Sequence, residues 1–323
     1  MMKKKILCIV LMIAMLVPVT ACGKKATVDS LFKDSEKALS KVDSFESEMI
    51  FDLDMSIEVD TVSLGIELAA EMNAEVTEDA IHLSGDTDVQ IPMQGSEKFD
   101  FEMYAINEKD SYTVYASDGS EWAQVLIEDD DYDDVSKILE KFTPEEFMIL
   151  LSDYADEFEL EKKLEKVNKS DAYVLKGNID GMMLIDAIKE SDLDVSVEDI
   201  EEMLESLADE GIDLEDYEAE VTIWIDKKSS LPAYIEIDFA GMLTSVMKDV
   251  MAIYEDSMSA GEGSMQNMNI KFDVKTAMVT VAFSSVNKVD EIEVPKKVKD
   301  AAVEVQMDED DILGYVDDYS MPI

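Results

Sequence analysis

The apolar positions change period at about residue 45. Before it, Val28, Leu31, Phe32, Ala38, Leu39 and Val42 fall on helical spacing and predict an amphipathic helix over 27–43. After it, Met49, Phe51, Leu53, Met55, Ile57 and Val59 alternate with mostly Glu, Asp and Ser. A second run alternates Val62, Leu64, Ile66, Leu68, Ala70, Met72, Ala74 and Val76 in the same way. A period of two puts every apolar side chain of such a run on one face, so both are long strands with one face to bury. Shorter alternating runs at 81–91, 99–106, 112–116 and 122–127 continue the meander, with Asp118-Gly119 as a hairpin turn between the last two.

Helical spacing returns at 134–153, where Thr143-Pro144-Glu145-Glu146 supplies an N-cap, a first-turn proline and acids at the positive end of the helix. Strands are expected near 158–167 and 171–179, then a helical pair at 180–190 and 196–209. A hairpin follows, 216–226 and 231–239, around Lys227-Lys228-Ser229-Ser230. A helix over 241–256, a loop at 257–266, strands at 268–284 and 289–294, and a mobile acidic tail from 304 complete the reading. Strands and helices come in blocks without regular β-α-β alternation, which argues for an α+β fold and against a doubly wound one. The expected architecture is a large curved antiparallel sheet, an open half-barrel. Amphipathic helices pack on its concave face, with room for an apolar cavity between sheet and helices.

Charge narrows the partners. The chain of 323 residues holds 27 basic residues, all lysine, against 76 Asp plus Glu, a formal net charge of −49. Without arginine there is no bidentate clamp for phosphate, and without a basic patch there is no footprint for nucleic acid. An anionic membrane surface would repel the body of the protein. With 47% hydrophobic residues the chain can still build a substantial core, so the acids read as a solvated exterior.

The N-terminus offers a way round that repulsion. Lys3, Lys4 and Lys5 precede an apolar stretch over 6–17, which is short for a stable span, and Val19-Thr20-Ala21-Cys22 follows. This resembles a bacterial lipobox, which implies cleavage before Cys22 and attachment of lipid to its thiol. Acyl chains contributing roughly 0.8 kcal/mol per buried CH₂ would then hold the protein on the outer face of a membrane. Cys8 would leave with the signal, so the mature chain could form no internal disulfide. The expected division is a signal peptide over 1–21, a lipid-anchored linker over 22–26, one domain over 27–303 and the tail over 304–323. The lysine-only, Ile- and Met-rich composition points to a Gram-positive cell membrane.

The hairpin at 221–239 carries a second resemblance. Trp224-Ile225-Asp226-Lys227-Lys228 followed by Leu231-Pro232 resembles a hairpin of the LolA/LolB-like half-barrel superfamily, which includes LppX/LprG-type lipoproteins. Three further short matches agree: Lys41-Val42-Asp43-Ser44-Phe45 at the first strand, Tyr115 to Trp122 through Asp118-Gly119, and Asn287, Val289, Glu291, Ile292, Val294 and Pro295 near the end. The resemblance implies an open antiparallel barrel with helices in its concave side and a lipid or acyl chain between them. On that basis Ile223, Ile225, Ile235, Ile237 and Phe239 are candidate cavity residues, joined by Met182, Met183, Met247 and Met251. Methionine suits such a lining because it is adaptable, although ordinary core filling would use it equally well.

Catalytic chemistry has little foothold. No zinc-protease, nucleophile-elbow, phosphate-loop or CxxC motif occurs. The one histidine, His82, sits on a strand between Ile81 and Leu83 and reads as a residue of the polar face. Asp129, Asp131, Asp133 and Glu140 echo a calcium loop, but Asp134 occupies the position that needs glycine, so no metal or cofactor is assigned. The sequence therefore points to a tethered, non-enzymatic, extracytoplasmic protein, and the resemblance implies that it binds a lipid or the acyl group of another lipoprotein. A structural or sensory lipoprotein with a filled core is the alternative.

Overall fold

A computed structural model describes residues 25–59, 62–92, 95–108, 111–128, 144–183, 185, 211–259 and 270–305. Cys22 and the signal segment, the acidic stretch at 129–140, the helix expected at 196–209 and the tail beyond 305 lie outside the described residues.

Among the described residues, thirteen strands join one sheet that does not close. β1 (Phe45–Val59), β2 (Val62–Val76), β3 (Ala80–Ile91), β4 (Gly95–Asn107), β5 (Ser111–Ser117) and β6 (Trp122–Glu128) form an antiparallel meander. A second meander runs through β7 (Phe158–Leu160), β8 (Glu165–Val167), β9 (Ser170–Asp180), β10 (Glu218–Asp226) and β11 (Pro232–Asp238). The late strand β12 (Ile270–Ser284) joins the two by lying between β11 and β1. Within each meander strands pair with neighbours in chain order or nearly so, whereas β12, and β13 at the far edge, close long loops to reach their partners. The result is an open half-barrel. β13 (Val303–Glu304) adds a short parallel pair to β6 at one edge.

Cross-strand register fixes the faces. Phe51 pairs with Ala70 and Val279, Ala70 with Thr87, and Thr87 with Phe99, so these side chains share the inner face. Asp54, Glu71, Asp86 and Asp100 take the outer one. The alternation read from the sequence is thus the alternation of a sheet with one dry and one wet side.

Helix α1 (Val28–Leu39) starts at a capping box, in which the Thr27 hydroxyl accepts from the Ser30 N–H and the Ser30 hydroxyl accepts from the Thr27 N–H. It buries Leu31, Phe32, Ser35 and Leu39. With Met148 and Leu151 of α2 (Pro144–Asp153) these cover the inner face of β9–β11, where Leu175, Ile179, Val221, Ile223, Ile225 and Ile235 complete the main core. Phe158 sets its ring edge-on to Phe32 at 5.5 Å and lies over Gly177, where a Cβ would stand 2.8 Å from that ring. Helix α3 (Ala240–Ser259) packs on β12 and β10, with Met242 joining the same core.

Three local expectations change. The strand expected over 158–167 is two short ones, β7 and β8, both paired to β9. The helix expected to end at 256 continues to Ser259. The segment 289–294 pairs with no strand; it crosses the outer face as a strap, with Ile292 and Val294 against Tyr104 and Tyr115. Its alternating apolar side chains are satisfied by that aromatic surface and not by a ladder. The six-residue helix α4 (Lys296–Ala301) follows Pro295 and buries Val298 in the same place, so among the described helices one covers the face opposite the other three.

Candidate functional site

The inner face is covered unevenly. Over β9–β11 it is closed: Ile223, Ile225 and Ile235 are 0–1% exposed and Ile237 is 8% exposed, beneath α1 and α2. Phe239 and Met183 are half-buried against this core, and Met182 is half-buried beside Met183. The Met183 N–H donates to Asp180 Oδ1. Met247 and Met251 lie on a half-buried stripe of α3 with Leu243, Val246 and Val250, at three- and four-residue spacing. The predicted residues thus divide, the strand isoleucines in filled core and the helix methionines at a partly open margin.

Over β1–β4 the same face is less covered. Met49, Phe51, Leu53, Met55 and Ile57 of β1 and Leu64, Ile66, Leu68 and Met72 of β2 are only half-buried. At the outer end of β4, Phe99 is 51% and Phe101 37% exposed, both on the inner side. Phe101 lies over its partner Gly85, where an added Cβ would collide with the ring and with the Glu71 carbonyl oxygen. A glycine opposite an aromatic lets the ring lie flat on the backbone and makes an apolar floor. These strands form the candidate site, a half-buried apolar face that runs through β12 into the core. Sequence periodicity shows which side chains share this face, but not which stretch the helices leave open.

The outer face carries polar pockets. One, of about 320 Å³, is lined by Glu46, Glu75, His82 and Tyr104 under the strap at 288–293. His82 stacks on Tyr104, ring centroids 4.3 Å apart and 10° from parallel. Its Nδ1 lies 3.2 Å from Glu75 and its Nε2 3.2 Å from Glu102. A neutral imidazole has one N–H and serves one of these carboxylates; the imidazolium serves both. The Tyr104 hydroxyl donates to Glu102 at 2.7 Å, and burial together with that carboxylate pushes the phenol well above its usual range. Sequence alone places His82 on the polar face but gives no sign of this sandwich, which needs three adjacent strands in register.

At the opening hairpin, Asp226 Oδ1 accepts from the backbone N–H groups of Lys228 and Ser229 and from the Ser229 hydroxyl. Trp224 packs edge-on against Tyr234 and donates its indole N–H to Glu165. Both features are structural. Among the described residues, no group of three or more His, Cys, Asp and Glu is arranged to hold a metal ion, and no helix is long and apolar enough to cross a membrane.

Strand order and register together define an open half-barrel with an apolar inner face. The chain belongs to the Family of unknown function (DUF6612), whose model matches residues 27–303. No curated protein sequence matches it. Similar solved structures include LprF from Mycobacterium bovis, at 12% identity over 83% of this chain and 96% of that one, with a TM-score of 0.37. The lipoprotein LppX of Mycobacterium tuberculosis is 10% identical over 82% and 98%, TM-score 0.33. A LolA superfamily protein of Nitrosomonas europaea is 10% identical over 85% and 97%, TM-score 0.18. These likenesses are distant, and the half-barrel architecture rests on the strand order and register themselves.

Proposed function

We propose that this protein is a lipoprotein tethered through Cys22 to the outer face of a cell membrane, where it takes a lipid or acyl chain into the groove over β1–β4. The observation that carries the reading is the half-covered inner face of these strands. Two strands of fifteen residues present a continuous apolar surface, and such surfaces on a protein otherwise rich in charge mark binding sites. Removing it from water yields roughly 25 cal/mol per Å², which favours a flexible apolar ligand lying along the strands. The Met247 and Met251 side of α3 adapts to the ligand's shape, and Phe99 and Phe101 flank the mouth. The core over β9–β11 is the rigid support.

Native mass spectrometry of the protein purified from its own membranes tests this. A bound lipid, retained in gentle conditions and lost in organic solvent, is the expected result; a protein that never carries or takes up lipid ends the proposal. The closed packing of Ile223, Ile225 and Ile235 favours a second reading, a structural or sensory lipoprotein with no small ligand. It predicts that substitutions lining the groove change stability alone.

A further inference from the structure

On the reading that the groove binds lipid, we infer that it selects lipids with an uncharged head, of the diacylglycerol class, and rejects anionic phospholipids. The argument is the placement of charge on the strands that build it. Across β1–β4 and β12 the inner face presents apolar side chains with Ser47, Thr87 and Asn107, and its one charged residue among those described is Glu97, exposed at the mouth. The lysines of these strands all belong to the other face. Lys98 pairs with Asp88 at 2.7 Å, Lys275 reaches Asp54 at 3.1 Å from the β-bulge, and Lys271 stands in register opposite Glu58. Over the described side chains of α3, which end at Ile253, Lys248 is exposed and the half-buried stripe is uncharged.

A phosphate head drawn to this face would find no counter-ion among the described residues and, in a chain without arginine, no guanidinium fork. It would sit beside Glu97 in a protein of formal charge −49. Partial burial of an unpaired anion is unfavourable, whereas ester and hydroxyl oxygens at the mouth stay hydrated. Discrimination thus comes from withholding a partner as much as from fitting the chains.

The test uses the full-length protein, stripped of bound lipid and mixed with vesicles containing equal amounts of dioleoylglycerol and dioleoylphosphatidylglycerol. Bound lipid is then counted by native mass spectrometry at low and high salt. Dioleoylglycerol in at least tenfold excess at both salts is the expected result. Equal capture, or a preference for the phospholipid, overturns the inference while leaving lipid binding in place. Capture of neither lipid removes the proposed function and this inference with it. Thr87→Lys puts an ammonium on the inner face and should narrow the ratio several-fold; an unchanged ratio would show that head charge is not read in the groove.

Discussion

Asn287 and Ser44 hold each other across the sheet. The Asn287 N–H donates to the Ser44 carbonyl oxygen at 2.7 Å, and Asn287 Oδ1 accepts from the Ser44 N–H at 3.4 Å. The same oxygen accepts from the Asp43 N–H at 2.7 Å, and the Asn287 amide donates to the Lys41 carbonyl at 3.1 Å. One side chain therefore ties the turn after α1 to the end of β12, at a left-handed φ of +54° that asparagine tolerates well.

Asn287→Ala should destabilise the fold by about 1–3 kcal/mol, because it strands backbone groups and keeps a strained φ. Asn287→Gly relieves the φ but not the lost bonds. Urea midpoints of the two variants separate the contributions: a glycine variant as stable as the parent would show that the side-chain bonds contribute nothing.

Ser35 is the opposite case. It is 0% exposed on the inward side of α1, and its hydroxyl oxygen has no hydrogen-bond partner. A buried hydroxyl without a partner costs about 1–3 kcal/mol relative to its hydrated state, while alanine keeps the helix and loses only that cost. Ser35→Ala is expected to raise the thermal midpoint. A lower midpoint would mean that the oxygen fills space the core needs.

Tyr217 gives the fold an alkaline limit. Its hydroxyl donates to Asp249 of α3 at 2.8 Å, and burial, then that carboxylate, push its pKa from 10.0 up to about 12. An acid whose folded pKa is raised lends stability that is complete below pH 10 and is lost as pH climbs to about 12. Unfolding midpoints should fall across that window in the parent. Tyr217→Phe should begin lower and fall less, and parallel profiles would show that the phenol does not titrate in the fold.

Much of this was legible in the residues. Strict alternation sets β1 and β2 almost to the residue, because a slip of one position would turn every apolar side chain outward. The hairpin at β10–β11 was equally plain, and Val221, Ile223, Ile225, Ile235 and Ile237 are all buried where alternation puts them. Non-local pairing was hidden: nothing in the local pattern says that β12 inserts between β11 and β1, or that β13 runs parallel to β6. The strap at 289–294 misled for a related reason. Ile292 and Val294 alternate like strand residues, yet what they bury against is Tyr104 and Tyr115, far away in sequence. The candidate site was legible as a face and not as an opening, since a helix that covers and a helix that stops short have the same periodicity.

The two halves of the inner face can be separated by substitution. Ile223 is 0% exposed beneath α1, so Ile223→Ala should lower stability by about 2–5 kcal/mol through lost contacts and an unfilled space. It should leave lipid capture by the folded protein unchanged, because the residue belongs to filled core. Leu68 lies half-buried between Leu53 and Val89, on the uncovered strands. Leu68→Glu can keep its carboxylate hydrated while the groove is empty, so its stability cost should be below about 1 kcal/mol. A ligand chain lying over it would strip that water, and capture of dioleoylglycerol should fall at least tenfold. Urea unfolding and native mass spectrometry on both variants give the answer. If Ile223→Ala abolishes capture and Leu68→Glu does not, the ligand enters beneath α1 and not along β1–β4. If neither variant changes capture, the inner face holds no ligand, and the half-covered strands need another partner.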